Sequence, residues 1–176
     1  PGRDMIILHH TSMDTLDYTG RKFNQGSKAI IIGIGSPVRE LPREYNGSPL
    51  PGIKKIKPYC AGCLLISGES YEKDPGLASQ LSAAAHPDLQ PWPLVILLDD
   101  VDAITDQTSF LWTVFTRFDP GLDIHAIQHM RQNAIEYRLP FVIDARMKPE
   151  YPAELVPRED IVDKVNKRWG SLFRSI

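Results

Sequence analysis

Cys60-Ala61-Gly62-Cys63 has the CxxC spacing that can hold half of a zinc site or form a redox pair. Structural zinc takes four ligands, and no second CxxC is present to complete the set. A redox pair wants its first thiol at a helix N-terminus, yet Leu64, Leu65 and Ile66 continue as a strand. The pair reads as two small buried thiols. The acidic run Asp99, Asp100, Asp102 follows the apolar stretch LVILL. The carboxyl end of a buried strand is where α/β proteins place Mg²⁺ ligands or general acids and bases. A phosphate-cradling G-x-x-x-x-G-K-[ST] loop is missing, so the run is read first as caps and first-turn acids of the next helix. A Mg²⁺-dependent phosphoryl-transfer site is the weaker alternative.

Two further motifs stop short of a chemistry. Gly33-Ile34-Gly35-Ser36-Pro37 opens like a dinucleotide fingerprint, but Val38 stands where the third glycine belongs, and Pro37 starts no long helix. His9-His10-Thr11-Ser12-Met13-Asp14 gathers nucleophile, base and carboxylate, yet triads assemble from distant segments and no G-x-S-x-G elbow occurs, so a solvated loop is expected. His86, after an Ala-rich stretch and before Pro87, is expected to meet the last carbonyls of a helix. No residue is assigned as catalytic, cofactor-binding or metal-binding on these grounds.

The elements that must position such groups follow from composition and periodicity. The chain has 176 residues, with 20 Lys+Arg against 22 Asp+Glu and a net charge of −2. Those figures fit a globular chain of one domain or slightly more. They give no basic field for nucleic acid, and no apolar run approaches the roughly 20 residues of a membrane span. Two cysteines cannot build a secreted disulfide framework, so the compartment reads as reducing and cytoplasmic. The start, Pro1-Gly2-Arg3-Asp4, lacks an initiator Met and a targeting pattern, as if cut from something longer.

Met5 to Leu8, Ala29 to Ile34, Cys63 to Ser67, Leu94 to Leu98, Ile124 to Gln128 and Phe141 to Asp144 are predicted strands. Leu94 to Leu98, apolar throughout, should be central and covered on both faces. His10 to Lys28 reads as a long polar loop, and the Pro/Gly-rich residues 36–55 as a linker. Helices are predicted at Gly76 to Ala85, at about Asp106 to Phe118 capped by Thr105, and at about Arg158 to Phe173. The second carries Phe110, Leu111, Val114, Phe115 and Phe118 on one stripe, and Arg117 at its end can pair with Asp119 or the acidic run. The third carries Ile161, Val162, Val165, Trp169, Leu172 and Phe173, and should dock on the sheet or on a partner chain.

The chain also resembles itself. Pro1-Gly2-Arg3-Asp4 before MIILHH matches Pro120-Gly121-Leu122-Asp123 before IHAIQH, and Ala29 to Ile32 can be set against Phe141 to Asp144. If both matches reflect a repeat, the chain begins in the middle of one copy and holds a nearly whole second one. Chance agreement of a Pro-Gly turn with an apolar run is the alternative.

The order LVILLDDVD, then TRFDPGLD (Thr116 to Asp123), a strand, VIDARMKP (Val142 to Pro149) and a terminal helix with Trp169 resembles the C-terminal domain of UbiD-type decarboxylases. The likeness covers about residues 55 to 173. SMDTLDYTG (Ser12 to Gly20) with Gly26 to Lys28 resembles the segment after the TRxDP element in that family, whereas the second copy has HMRQNAIEYRL (His129 to Leu139) there. The resemblance implies an α/β fold with a mixed sheet of about five strands covered by helices. It implies residues 1–35 as the end of a preceding copy, 36–55 as linker and 56–176 as a UbiD C-terminal-like domain. It also implies a cytoplasmic homo- or hetero-oligomer with the remainder of the same enzyme or a UbiD-like catalytic subunit. The complete enzyme would use prenylated FMN to add or remove CO2 on aromatic or unsaturated acids, with none bound by this chain alone. The family's catalytic Arg and Glu pair lie upstream of its C-terminal domain, so none is carried over. The alternative function is a degenerate oligomerisation module.

Overall fold

The computed structural model describes residues 5–12, 25–32, 34–153 and 157–172. Its strands are β1 (Met5–Thr11), β2 (Gly26–Ile31), β3 (Ile53–Cys60), β4 (Cys63–Gly68), β5 (Leu94–Leu98), β6 (Ile124–Arg131) and β7 (Ala134–Asp144). Its helices are α1 (Leu77–Ala83), α2 (Gln107–Phe115), the single turn α3 (Pro120–Asp123) and α4 (Glu159–Leu172). Five strands form one mixed sheet in the order β3-β4-β5-β7-β6. β4, β5 and β7 run parallel, and the outer strands β3 and β6 are antiparallel to their neighbours. β1 and β2 form a separate antiparallel hairpin.

The apolar run at β5 is central, as its composition requires, because both of its faces are covered. Alternation divides the core. Leu64, Ile66, Val95, Leu97 and Val142 face α1, Leu89 and Trp92 on one side. Cys63, Leu65, Ile96, Leu98 and Ile143 face Val101, Ile104, Val114 and Phe118 on the other.

Several elements differ from expectation for definite reasons. β3 begins at Ile53, inside the stretch read as a linker. Its Ile53 and Ile56 are out of period two because the register shifts between Ile53 and Lys55, and its three lysines and Pro58 suit an edge strand. Residues 34–52 form no helix or strand, yet Leu50 is buried in the core and the Pro42 carbonyl accepts from Gly62 N–H at 2.9 Å. β6 and β7 continue far past the predicted strands into one long hairpin. Gln132 and Asn133 turn it with φ of 47° and 62°, the two left-handed residues of a type I′ turn without the usual Asn-Gly signature.

α2 is capped by Asp106, not Thr105: the Asp106 carboxylate accepts from Ser109 N–H at 2.7 Å while Ser109 Oγ accepts from Asp106 N–H at 3.0 Å. Thr116 Oγ1 donates to the Trp112 carbonyl at 2.6 Å as the helix ends at Phe115, three residues short of Phe118. Val114 is buried and Phe110 stacks on Tyr59 at 4.1 Å, which turns Leu111 and Phe115 outward with Trp112. Every residue of α4 from Glu159 to Ser171 is exposed, so its apolar stripe covers no part of the sheet among the described residues. Pro1 to Asp4, Met13 to Asn24, Gly33 and Phe173 lie outside the described residues, and with them most of the SMDTLDYTG stretch.

Candidate functional site

The parallel strands β4, β5 and β7 end side by side, and the chain leaves β7 as Asp144-Ala145-Arg146-Met147-Lys148. Period two sends Asp144, Arg146 and Lys148 to one side just past the sheet's carboxyl edge, where open α/β sheets carry their sites. Asp144 and Arg146 are almost wholly buried. Arg146 Nε and Nη2 donate to the two Asp144 carboxylate oxygens at 2.9 and 2.6 Å, and Nη1 donates to the carbonyls of Glu69 and Asp74, both at 2.9 Å. Four of the five guanidinium protons are thus engaged in a planar fork, which a lysine could not reproduce.

Lys148 is the second buried cation. Its Nζ lies 3.1 Å from Asp123 Oδ2 and donates to the Arg117 and Asp144 carbonyls at 3.1 Å each, which uses its three protons. The rings of Tyr71 and Tyr151 each lie 5.2 Å from the same ammonium, close enough for cation–π attraction. Around it is a cleft of about 370 Å³ lined by Tyr71, Asp119, Asp123, His125, Asp144 and Tyr151, among others. Burial raises the Asp123 carboxyl above the usual range, against the opposing pull of Lys148. Burial also raises Tyr71 and Tyr151, and lowers His125, so both phenols and the imidazole are neutral near pH 7.

The β1–β2 hairpin closes one side. Asp119 caps α3, its backbone N–H donating to Asp123 Oδ2 at 2.7 Å. Ser27 Oγ on β2 donates to the Asp119 carboxylate and accepts from Gly121 N–H at 2.6 Å. A helix start, a strand from a distant segment and the buried Lys148–Asp123 pair thus form one hydrogen-bonded unit.

The residues singled out in the sequence are scattered by comparison. The acidic run does not cap α2. Asp99 accepts from Met147 N–H at 2.8 Å and pairs with Arg117 at 3.5 Å, Asp100 accepts from Asp102 N–H at 2.8 Å, and Asp102 pairs with Lys55 on β3. The chain bends at Asp99 as it leaves the strand, which spends the three carboxylates on separate partners before the helix starts. Arg117 does reach the acidic run. Cys60 and Cys63 flank the two-residue turn between β3 and β4; Cys63 is buried and Cys60 exposed, so only one thiol fits the buried reading. His125 and His129, a further HxxxH spacing, lie on β6, at the opposite sheet edge from Cys60. Four strand spacings of about 4.8 Å separate those edges. Among the described residues no three His, Cys, Asp or Glu side chains gather as a metal set. His86 does not serve the carbonyls behind it: its Nδ1 accepts from Asp88 N–H and caps the 3-10 turn Pro87–Leu89 ahead. His9 and His10 are exposed, with the His9 ring beside Gly121, and Ile34 is exposed beside Gly35; Met13, Asp14 and Gly33 of these stretches lie outside the described residues. Asp144, Arg146 and Lys148 are absent from the residues singled out in the sequence, although charges at every second position after an apolar strand were the available signal.

Residues 41–145 match the model of the 3-octaprenyl-4-hydroxybenzoate carboxy-lyase C-terminal domain, the UbiD C-terminal domain. The chain belongs to this family. The matched residues hold β3 to β7 and the Asp144 end of the site, and the mixed five-stranded α/β fold is that of a UbiD C-terminal domain. Among curated relatives, a 4-hydroxybenzoate decarboxylase subunit of Chlamydia pneumoniae is 44% identical over 175 residues, covering 98% of this chain and 29% of that protein. An uncharacterised protein of Chlamydia trachomatis serovar D is 41% identical over 174 residues, with 97% and 29% covered. The chain therefore spans under a third of the length of the curated relatives it matches. Among solved structures, Sedimentibacter hydroxybenzoicus vanillic acid decarboxylase in its open form has a TM-score of 0.42 at 18% identity over 72% of this chain and 30% of that one. The UbiD-class enzyme HmfF of Pelotomaculum thermopropionicum, in an evolved dimeric form with prFMN, has a TM-score of 0.45 at 22% identity over 66% and 26%.

The cleft of this UbiD C-terminal domain does not suit a phosphorylated flavin. Asp119, Asp123, Asp144 and Glu150 line it, and the ammonium of Lys148 already has its three acceptors. A phosphate there would meet carboxylates without a free cation among the lining residues.

Proposed function

We propose that this chain is the C-terminal assembly and gating part of a UbiD-like decarboxylase or carboxylase acting on aromatic or unsaturated acids. In the complete enzyme the prenylated-FMN chemistry belongs to residues outside this chain, because the cleft here repels a phosphate and its charged groups are committed to one another. The partner is the remainder of the same enzyme or a UbiD-like catalytic subunit in a cytoplasmic homo- or hetero-oligomer, with neither nucleic acid nor membrane involved. No helix among the described residues is long and apolar enough to cross a membrane.

The observation that carries the reading is α4. Ile161, Val162 and Val165 form an exposed apolar stripe along α4, and every described residue of that helix from Glu159 to Ser171 is exposed, as a helix meant for another surface would be. The hydrogen-bonded tie from β2 to α3 supports the gating half, since it couples the start of the chain to the cleft.

The test uses the complete enzyme. Val165→Asp and Trp169→Glu on α4 are expected to lower the mass seen by light scattering and to reduce CO2 release from an aromatic acid. An intact oligomer with unchanged turnover in both variants would overturn the assembly role. The degenerate-module reading gains some support from His129 to Leu139, which form a plain hairpin where the first copy carries the SMDTLDYTG-like stretch. It predicts that the variants change mass while turnover per active site stays the same.

A further inference from the structure

We infer that the outer edge of β2 receives a parallel apolar strand from an upstream unit built like β3–β7, lying earlier in the same polypeptide. This goes beyond the assembly reading, which concerns α4.

The inference starts from the two hairpins. Aligning the two Pro-Gly-x-Asp turns places Met5 with Ile124 and Ile6 with His125. Aligning Ala29 to Ile32 with Phe141 to Asp144 places Ile30 with Val142 and Ile31 with Ile143. The register agrees with both alignments at once. Met5 pairs with Ile31 and Ile6 with Ile30, while Ile124 pairs with Ile143 and His125 with Val142. Two strand alignments made independently in sequence thus converge on one pairing, and a one-residue slip in either would break it. The β1–β2 hairpin is the counterpart of the β6–β7 hairpin.

The difference lies at the next strand. In the second copy β5 runs parallel along the far side of β7, with Phe141 N–H donating to the Pro93 carbonyl and Ala145 N–H to the Leu97 carbonyl, both at 2.9 Å. β2 has no such neighbour among the described strands, since its sheet contains β1 and β2 alone. Val142 and Ile143 are 0% and 3% exposed, whereas their counterparts Ile30 and Ile31 are 50% and 53% exposed.

That contrast also specifies the partner. Successive residues of a strand point to opposite faces, so Ile30 and Ile31 expose both faces of β2, and both need cover. A second copy adding edge to edge would extend the ladder and leave the two faces bare. A parallel strand of the LVILL kind brings its own crossover helices and covers both, as α1 and α2 flank β5. The matched stretch is 29% of the length of the Chlamydia pneumoniae relative, which leaves room for such a unit within one polypeptide.

Residue-resolved hydrogen exchange on the complete protein tests this. The amides of Ala29 and Ile31 correspond to those of Phe141 and Ile143. They are expected to exchange at least about 100-fold more slowly than an open strand edge, independent of protein concentration and unchanged in the Trp169→Glu variant. Exchange at the rate of a free edge would overturn the inference. Protection that disappears on dilution would overturn it as well, because the strand would then come from a second copy. Loss of assembly in Trp169→Glu with protection intact bears on α4 and leaves this inference standing.

Discussion

Lys148 Nζ lies 3.1 Å from Asp123 Oδ2, and both side chains are more than nine-tenths buried. Burial at this depth makes the pair expensive to break and cheap to replace. Lys148→Met leaves the Asp123 carboxyl without its cation, and the expected loss of stability at pH 7 is about 3–5 kcal/mol in urea unfolding. The Asp123 carboxyl already stands above its usual range and rises further without the ammonium. A carboxyl whose folded value exceeds the unfolded one contributes stability at low pH and loses it as pH rises through the folded value. The variant should therefore recover part of the deficit on acidification. Lys148→Met combined with Asp123→Leu should be more stable than Lys148→Met alone; an equal or larger loss would contradict the account.

Cys63 gives a second pH-dependent expectation. Burial pushes its thiol up to about 12 from the usual 9.0, with Cys60 adding to the shift. The group's contribution to stability is then present below pH 9 and declines as pH rises toward 12. Cys63→Ala should flatten that alkaline decline in thermal melts. Iodoacetamide at pH 8 should label exposed Cys60 and spare Cys63 until the protein unfolds, and equal labelling of both by mass spectrometry would refute the burial argument.

Two glycines should respond oppositely to alanine. A Cβ on Gly68 would stand 2.4 Å from the Gly52 carbonyl oxygen, a backbone atom that cannot swing aside. Gly68→Ala is expected to cost about 3 kcal/mol by opening the base of the β3–β4 hairpin. A Cβ on Gly170 meets nothing within 4 Å, so Gly170→Ala in α4 should raise helicity by about 1 kcal/mol of propensity. Circular dichroism melts of the two variants separate these outcomes.

At the β6–β7 turn, Gln132 and Asn133 both hold left-handed angles that suit Asn-Gly better. Replacing them by Asn-Gly should raise stability by roughly 1 kcal/mol, since a side chain such as glutamine is strained there. A lower melting temperature in the double variant would mean that the turn is held by something other than its own backbone.

The parts of this fold legible in the sequence are those where one local rule is enough. LVILL announces a doubly covered strand, and the GLASQLSAAA stretch announces α1, because burial and propensity act within a few residues. β3 is not legible because its irregularity at Ile53 and Lys55 hides the alternation, and the turn at Gln132 lacks the usual residue pair. The cap of α2 falls one residue from its expected place because Thr105 and Asp106 both suit the position and only geometry selects between them. Of the candidate site, Asp144, Arg146 and Lys148 leave a period-two trace, but their partners Asp123, Glu69 and Asp74 come from separate segments. Such a cluster is visible only after the sheet has brought those segments to one edge.

The tie from Ser27 to Asp119 spans 92 positions and begins well before residue 41, where the match to the family model starts. Expression of residues 41–145 alone would strip Gly121 N–H and the Asp119 carboxylate of that hydroxyl and would drop Lys148 altogether. Recombinant boundaries drawn from that match would in this case cut through a cooperative unit that reaches from Ser27 to Lys148.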